Sequence, residues 1–266
     1  MERQQQSGSS EGTAERTPRR RPESRRAHKV ALTIAQQIVD DITEGDLGPG
    51  TKLASEREML ERFSAGRGTL RESLRFLEMS GAIAVKAGPH GGPIVGDPDG
   101  EDLARVLGLF LQLRRVPFKA IVDAREILEP ELAGLAAERG SDSQLADIGD
   151  SIEGMQAFLD DERNFLAEND HFHAAVASAA GNELFALVIA SMHTITDGVP
   201  LGLSYELSRR ESVLRSHEEI FESIKTRDAE GARWAMRKHM RRFTARVSTD
   251  FPAAYEKPLR WRDLAP

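Results

Sequence analysis

Apolar positions recur at helical spacing from the end of the first thirty residues onward. Leu32, Ile34, Ala35, Ile38, Val39 and Ile42 share one stripe, and Gly45, Gly48, Pro49 and Gly50 end it, so the pattern predicts a helix closing near Glu44. In the following LASEREMLERF, Ser55 can cap a second helix and Glu58 completes a capping box, with Met59, Leu60 and Phe63 facing inward. A tight turn at Ala65 and Gly66 opens a third helix in SAGRGTLRESLRFLEMSG. There Leu70, Leu74 and Leu77 pack, while Arg67, Thr69 and Arg71 stay outward near its start. Beyond Gly81, the apolar-rich AIAVKA and the short PIV flank GPHGG, two strand-prone runs about a glycine turn that predict a hairpin. This succession is that of a winged helix-turn-helix, which lays the first turn of its third helix in the major groove of double-stranded DNA.

DPDG at 97–100 reads as a linker, and helical periodicity without strand alternation runs from there to about Ser248. The expected helices are 101–115, 117–138, 143–160, 163–180, 183–197, 208–226 and 228–249, punctuated by Pro117, Gly140 and Gly181-Asn182. The fold class expected is mainly α, a winged helix-turn-helix followed by an all-α bundle. Its domains are a disordered basic tail (1–28), a DNA-binding unit (29–96), the linker, the bundle (101–249) and a C-terminal extension (250–266).

Three of the seven histidines fall on core-facing stripes. His173 shares a stripe with Phe165, Asn169 and Val176. His217 lies with Leu214, Ile220, Phe221 and Ile224, and His239 with Met236, Phe243 and Val247. Each alone reads as a buried, hydrogen-bonded histidine. Together, on separate helices and with an acidic residue in reach, they read as ligands for a divalent metal ion: zinc, nickel, iron or manganese.

Composition then bounds the function. At 266 residues the chain suits two domains, and 39% hydrophobic residues can build real cores. It has no cysteine, which excludes disulfides, thiolate metal sites and a cysteine nucleophile. The start is polar and basic rather than an apolar leader, and the longest apolar run, near Leu184 to Met192, is too short to span a bilayer. A soluble cytoplasmic protein without membrane association is expected. The net charge of −7 is uneven: residues 1–98 hold fifteen basic and fourteen acidic side chains, the remainder twenty-one and twenty-nine. A local basic face suffices for phosphate attraction, because exposed charges are screened beyond roughly 10 Å. RTPRRRPESRRAHK at 16–29 either adds nonspecific DNA affinity or merely solubilises the chain.

For the DNA-reading residues two readings stand side by side. Arg57, Arg67 and Arg71 are solvated helix charges, or guanidinium groups for phosphates and guanine edges. Thr69 caps the backbone or touches a phosphate. His90 is a polar turn residue, or reaches a groove with Gly88 and Gly91 allowing close backbone approach.

Residues 32–95 resemble the DNA-binding domain of GntR-family bacterial transcription regulators, on EGDLGPGTKLASEREML and RGTLRESL. The resemblance implies operator contacts by Arg57, Arg67, Thr69 and Arg71, with a wing tip around Gly88 to Gly91. Ala54, Gly66 and Gly68 depart from the family pattern. Residues 101–249 resemble the FCD effector-binding domain of FadR-like members, on DAREILEPELAGLAA, NDHFHAAVASAAGNELF and RSHEEIFESIKTRDAEGARWAMRKHM. That likeness implies a metal held by Asp123, His173, His217 and His239, and an effector carboxylate on Arg125, whose other reading is an intrahelical pair with Glu129. His171 and His193 have no matching role.

The expected function is a ligand-responsive regulator that binds a palindromic operator as a homodimer, since one winged helix covers only a half-site. It is expected to be a repressor released by a small carboxylate metabolite bound at or near the metal. Two alternatives stand: a metal-free bundle that takes an apolar acyl effector, and a helical metalloenzyme. Glu218 is a poor general base for the latter, because it neighbours His217 on a helix and points about 100° away.

Overall fold

The computed structural model describes residues 22–88, 91–196 and 205–261, and the chain divides into two compact units, one of residues up to 78 with 83–95, the other of 79–82 with 96 onward.

In the first unit α1 (Pro22–Glu44) precedes α2 (Glu56–Phe63), α3 (Arg67–Met79) and the antiparallel strands β1 (Ile83–Lys86) and β2 (Gly92–Val95). Ser55 caps α2 as expected: its hydroxyl accepts from the Glu58 N–H, and the Glu58 carboxylate accepts from the Ser55 N–H at 2.8 Å. The unit's buried apolar side chains are Ala31, Ile34, Ala35 and Ile38 of α1, Met59 of α2, Leu70, Leu74 and Leu77 of α3, and Ile83 and Val95 of the strands. Buried Ser73 ties α3 to α1, its hydroxyl donating to the Ala31 carbonyl at 2.8 Å. The hairpin is held from outside its own turn, by Gly50 N–H to Val95 O and Leu53 N–H to Pro93 O.

One boundary differs from expectation. Residues 22–28, assigned above to a disordered tail, form the first turns of α1. Pro22 supplies a fixed φ at the helix start, and the following residues are adequate helix formers. His28 then hydrogen-bonds Glu72 of α3 at 2.8 Å. Residues 1–21 lie outside the described residues.

The second unit is helical throughout: α4 (Gly100–Leu113), α5 (Phe118–Arg139), α6 (Asp142–Ala157), α7 (Glu162–Ala179), α8 (Glu183–Thr196), α9 (Leu207–Lys225), α10 (Ala229–Asp250) and the short α11 (Pro252–Tyr255). Helix starts repeat one device. Asp99 caps α4, Ser141 caps α6, Asp161 caps α7 and Asp228 caps α10, each side chain accepting from a first-turn N–H. The α5 and α10 pair forms the spine, with α7, α8 and α9 closing round it and α4 lying on α8. Buried Phe118, Val122, Phe172, Ile189, Ile195 and Ile220 fill the interior. The C-terminal extension docks on this unit: Leu259 is buried, and its N–H donates to Val116 O at 3.2 Å. Among the described residues no helix is long and apolar enough to cross a membrane.

Candidate functional site

Two surfaces carry the side chains singled out by sequence. On the first unit, Arg67 and Arg71 are exposed on the first turns of α3 and Arg57 is exposed at the start of α2. Arg71 Nε lies 3.8 Å from Glu56 Oε2, so the two helix starts adjoin. Thr69 is half-buried. In the wing, Gly88 has φ +109°, and a Cβ on Gly91 would collide with the Lys86 carbonyl. Both glycines are therefore required by the turn itself, whatever it touches. His90 lies outside the described residues.

The second surface is internal. α5 points Arg125 and Glu129, one turn apart, into the bundle, where both are buried and joined by an Nε to Oε1 bond of 2.7 Å. This realises the intrahelical pair anticipated for Arg125. The same guanidinium also bonds Thr196 and, at 2.6 Å, His193 Nε2, and it lies 5.3 Å above the Phe243 ring. The other Glu129 oxygen takes a short hydrogen bond from His173 Nδ1. Burial by itself raises the Glu129 carboxyl, but His173, Arg125 and His193 outweigh it and hold it well below the usual carboxylate range. Burial drives His173 down to about 4, with Glu129 opposing.

His173, His217 and His239 come together, one nitrogen from each within 4.8 Å of the others. His217 Nδ1 contacts the Met155 sulfur at 3.2 Å, and its ring stacks on Phe172 at 4.0 Å with an interplanar angle of 9°. Thioether sulfur and carboxylate both accept, so His217 and His173 each place their proton on Nδ1 and keep a lone pair on Nε2. A carboxylate such as Glu129 behind His173 is the kind of partner that orients imidazole ligands in metal sites. His217 Nε2 and His239 Nε2 stand 3.4 Å apart, and two nitrogens bound about 2.1 Å from one tetrahedral ion are about 3.4 Å apart. Burial first, and neighbouring imidazoles second, hold His217 and His239 well below their ordinary value, so all three offer neutral nitrogen near pH 7. The donor set suits zinc, nickel, iron or manganese.

Asp123 is not part of this cluster, contrary to the expectation that it supplies the carboxylate ligand. Two residues before Arg125 on a helix, it is turned away from the buried face, and it is exposed. Instead it lines an outer groove with Glu126, Ile127, Glu131, Arg237 and Arg241. The carboxylate at the cluster is Glu129, which backs His173, while Asn169 lies one turn before His173 and lines the adjoining cavity. His193, left without a role above, is buried and hydrogen-bonded to Arg125. Its signal in the sequence was helical spacing from Ile189, which puts it on the buried side of α8. His171 is exposed between Asp147 and Glu168.

Beside the imidazoles lies a narrow, partly open cavity of about 30 Å³. Arg125, Arg209, Arg242, Asn169, Ser212 and Ser216 are among its walls. Sequence reasoning missed Arg209, which is half-buried, and Arg242, which stays exposed at the cavity's edge, because charged residues on amphipathic helices look like solvated faces until their neighbours are known.

Residues 30–89 match the family model for bacterial regulatory proteins of the gntR family, and residues 120–242 match the FCD domain. The chain belongs to the GntR family. It is a transcriptional regulator of the GntR type with an FCD domain, and its relatives are regulators rather than enzymes. The HTH-type transcriptional repressor NanR of Klebsiella aerogenes is 28% identical over 222 residues, covering 82% of this chain and 85% of that protein. The HTH-type transcriptional regulator LutR of Bacillus subtilis is 26% identical over 204 residues, covering 75% and 92%. Among solved structures, Streptococcus agalactiae GntR overlays with a TM-score of 0.59 at 23% identity, covering 81% of this chain and 99% of that one, a likeness of fold.

Proposed function

We propose that this GntR regulator is a metal-dependent repressor that binds a palindromic operator as a homodimer and releases it when a small carboxylate enters the cavity of the helical unit. The convergence of His173, His217 and His239 beside a cavity walled by guanidinium groups carries this reading. A divalent ion held by the three imidazoles supplies a Lewis-acidic position for a carboxylate oxygen. Around it, Glu129 fixes the His173 tautomer, Met155 does the same for His217, and Arg125 offers positive charge. Arg57, Arg67 and Arg71, with Thr69 and the wing, meet the duplex. Self-association is supported by α4, where Leu103, Val106, Phe110 and Leu113 are exposed at the 3-4-3 spacing of a helix-helix seam.

Repression is favoured by the likeness to NanR, a protein described as a repressor. An apolar acyl effector fits poorly against Arg209, Arg242, Asn169, Ser212 and Ser216 in one cavity. The test uses purified full-length protein and DNA fragments from its own and neighbouring promoters. A specific mobility shift is expected, weakened by candidate acids and lost by at least 100-fold in the Arg57→Ala/Arg67→Ala/Arg71→Ala variant, since each guanine contact contributes about 1–3 kcal/mol. Unchanged affinity in that variant overturns the DNA-reading assignment. Stoichiometric zinc, nickel, iron or manganese after mild purification, lost in His217→Ala, is expected for the metal assignment; a metal-free wild type overturns it.

A further inference from the structure

The positive charges round the cavity are unequally answered. Arg125 is paired with Glu129, and Arg246 lies 3.5 Å from Asp250 and 5.0 Å from the Tyr205 ring centre. Arg209 and Arg242 also line the cavity, and among its described lining residues there is no carboxylate. Arg209 Nε is shut off from solvent and has no hydrogen-bond partner among the described residues. Arg242, which is exposed, donates among the described residues to a neutral group, Ser216 Oγ at 3.3 Å. Ser212 and Ser216, one turn apart on α9, add hydroxyls to the same wall. Burial first and the charge of Arg246 next hold the Arg209 guanidinium below its ordinary value; Tyr205 and Asp250 oppose them, and Arg242 adds a smaller push in the same direction as burial. Arg209, half-buried with a sealed and unpaired donor and with exposed Arg242 beside it, leaves the ligand-free protein with an electrostatic cost that a bound anion relieves.

A single carboxylate at the imidazole cluster does not meet this second demand. We propose that the effector is a small organic acid with two anionic groups, a dicarboxylate or a phosphorylated carboxylic acid, whose second anionic group is bound by Arg209 and Arg242 beside Ser212 and Ser216. This rests on the reading of the cavity as an effector site, and it adds a specificity element: Arg209 and Arg242 select two charges over one. Guanidinium groups suit the task, because they bind carboxylate and phosphate oxygens in paired hydrogen bonds.

The test compares matched acids on full-length protein by titration calorimetry and thermal shift, with zinc added and after chelation. Malonate, succinate, glutarate and 3-phosphoglycerate are set against propionate, butyrate, valerate and glycerate. At least one acid with two anionic groups is expected to bind 100-fold or more tightly than its monoanion. Arg209→Gln/Arg242→Gln should remove at least 30-fold of that preference while zinc content stays unchanged. Arg209→Gln alone should raise the melting temperature of the ligand-free protein by relieving repulsion, a shift opposite to that of a merely structural arginine. Equal binding of every such acid and its monoanion overturns the proposal, as does a preference untouched by the double variant. If zinc does not bind but the preference persists and depends on Arg209 and Arg242, the second subsite stands and the metal assignment falls. If zinc binds without any preference for two charges, the reverse holds.

Discussion

Glu129 is the residue on which the internal site turns, because it answers two groups at once. It neutralises buried Arg125 and fixes the proton of His173. Glu129→Gln leaves the guanidinium buried without its counter-charge, so the variant should lose about 3 kcal/mol of stability or more, read by urea unfolding. Metal affinity in the same variant should fall about 10–100-fold, the usual cost of removing a partner behind a ligating imidazole. Acid sensitivity follows from the same burial. His173 takes up a proton near 6.5 in the unfolded chain but only at about 4 in the fold. Between those values the unfolded chain binds more protons, so this residue's contribution is complete above pH 6.5 and disappears as the pH falls toward 4. The loss from His173 is about 3 kcal/mol, and His217 and His239 act in the same direction. Urea titrations of chelator-treated protein at pH 7.5 and pH 4.5 should differ by at least that amount.

At the scale of elements, the start of α3 trades helix stability for surface chemistry. Gly68 sits in its first turn, and a Cβ there meets nothing within 4 Å. Gly68→Ala should therefore stabilise the unit by about 0.5–1 kcal/mol, visible as a higher melting temperature. Operator affinity in that variant reports whether the bare backbone is needed against the duplex: unchanged affinity assigns Gly68 no role there. α2 has eight residues and depends on its termini, the Ser55 and Glu58 capping box at one end and Ser64 at φ +48° at the other. Such short helices are set by caps and packing rather than by propensity, which is why their boundaries could be placed from the sequence.

For the whole molecule, the unanswered feature is the apolar face of α4. Phe110 is 59% and Leu113 71% exposed, in line with Leu103 and Val106, on a helix whose other side packs on α8. A stripe of that size facing water is unusual for a protein that remains single. Replacing Phe110 and Leu113 together by aspartate should convert a dimer to a monomer in sedimentation experiments at micromolar concentration. It should also weaken operator binding far more than binding of any metal or acid, since both lie within one chain. A dimer that persists in the variant removes α4 from the seam.

Local periodicity determined most of the architecture: the helix stripes, the Ser55 cap, the glycine turn of the wing and the three core-facing histidines are all short-range patterns that survive without knowledge of neighbours. Convergence was legible for the three imidazoles, which meet as expected, but not for the carboxylate beside them. Asp123 and Glu129 both lie on α5 and carry the same chemistry, and only the rotation of that helix against α7 and α8 decides which carboxylate meets the imidazoles. The same holds for His193, Arg209 and Arg242, polar residues on amphipathic helices whose surroundings come from elements far away in the chain. A helix specifies the angle at which each side chain leaves its own axis; what stands opposite is a property of the packed bundle.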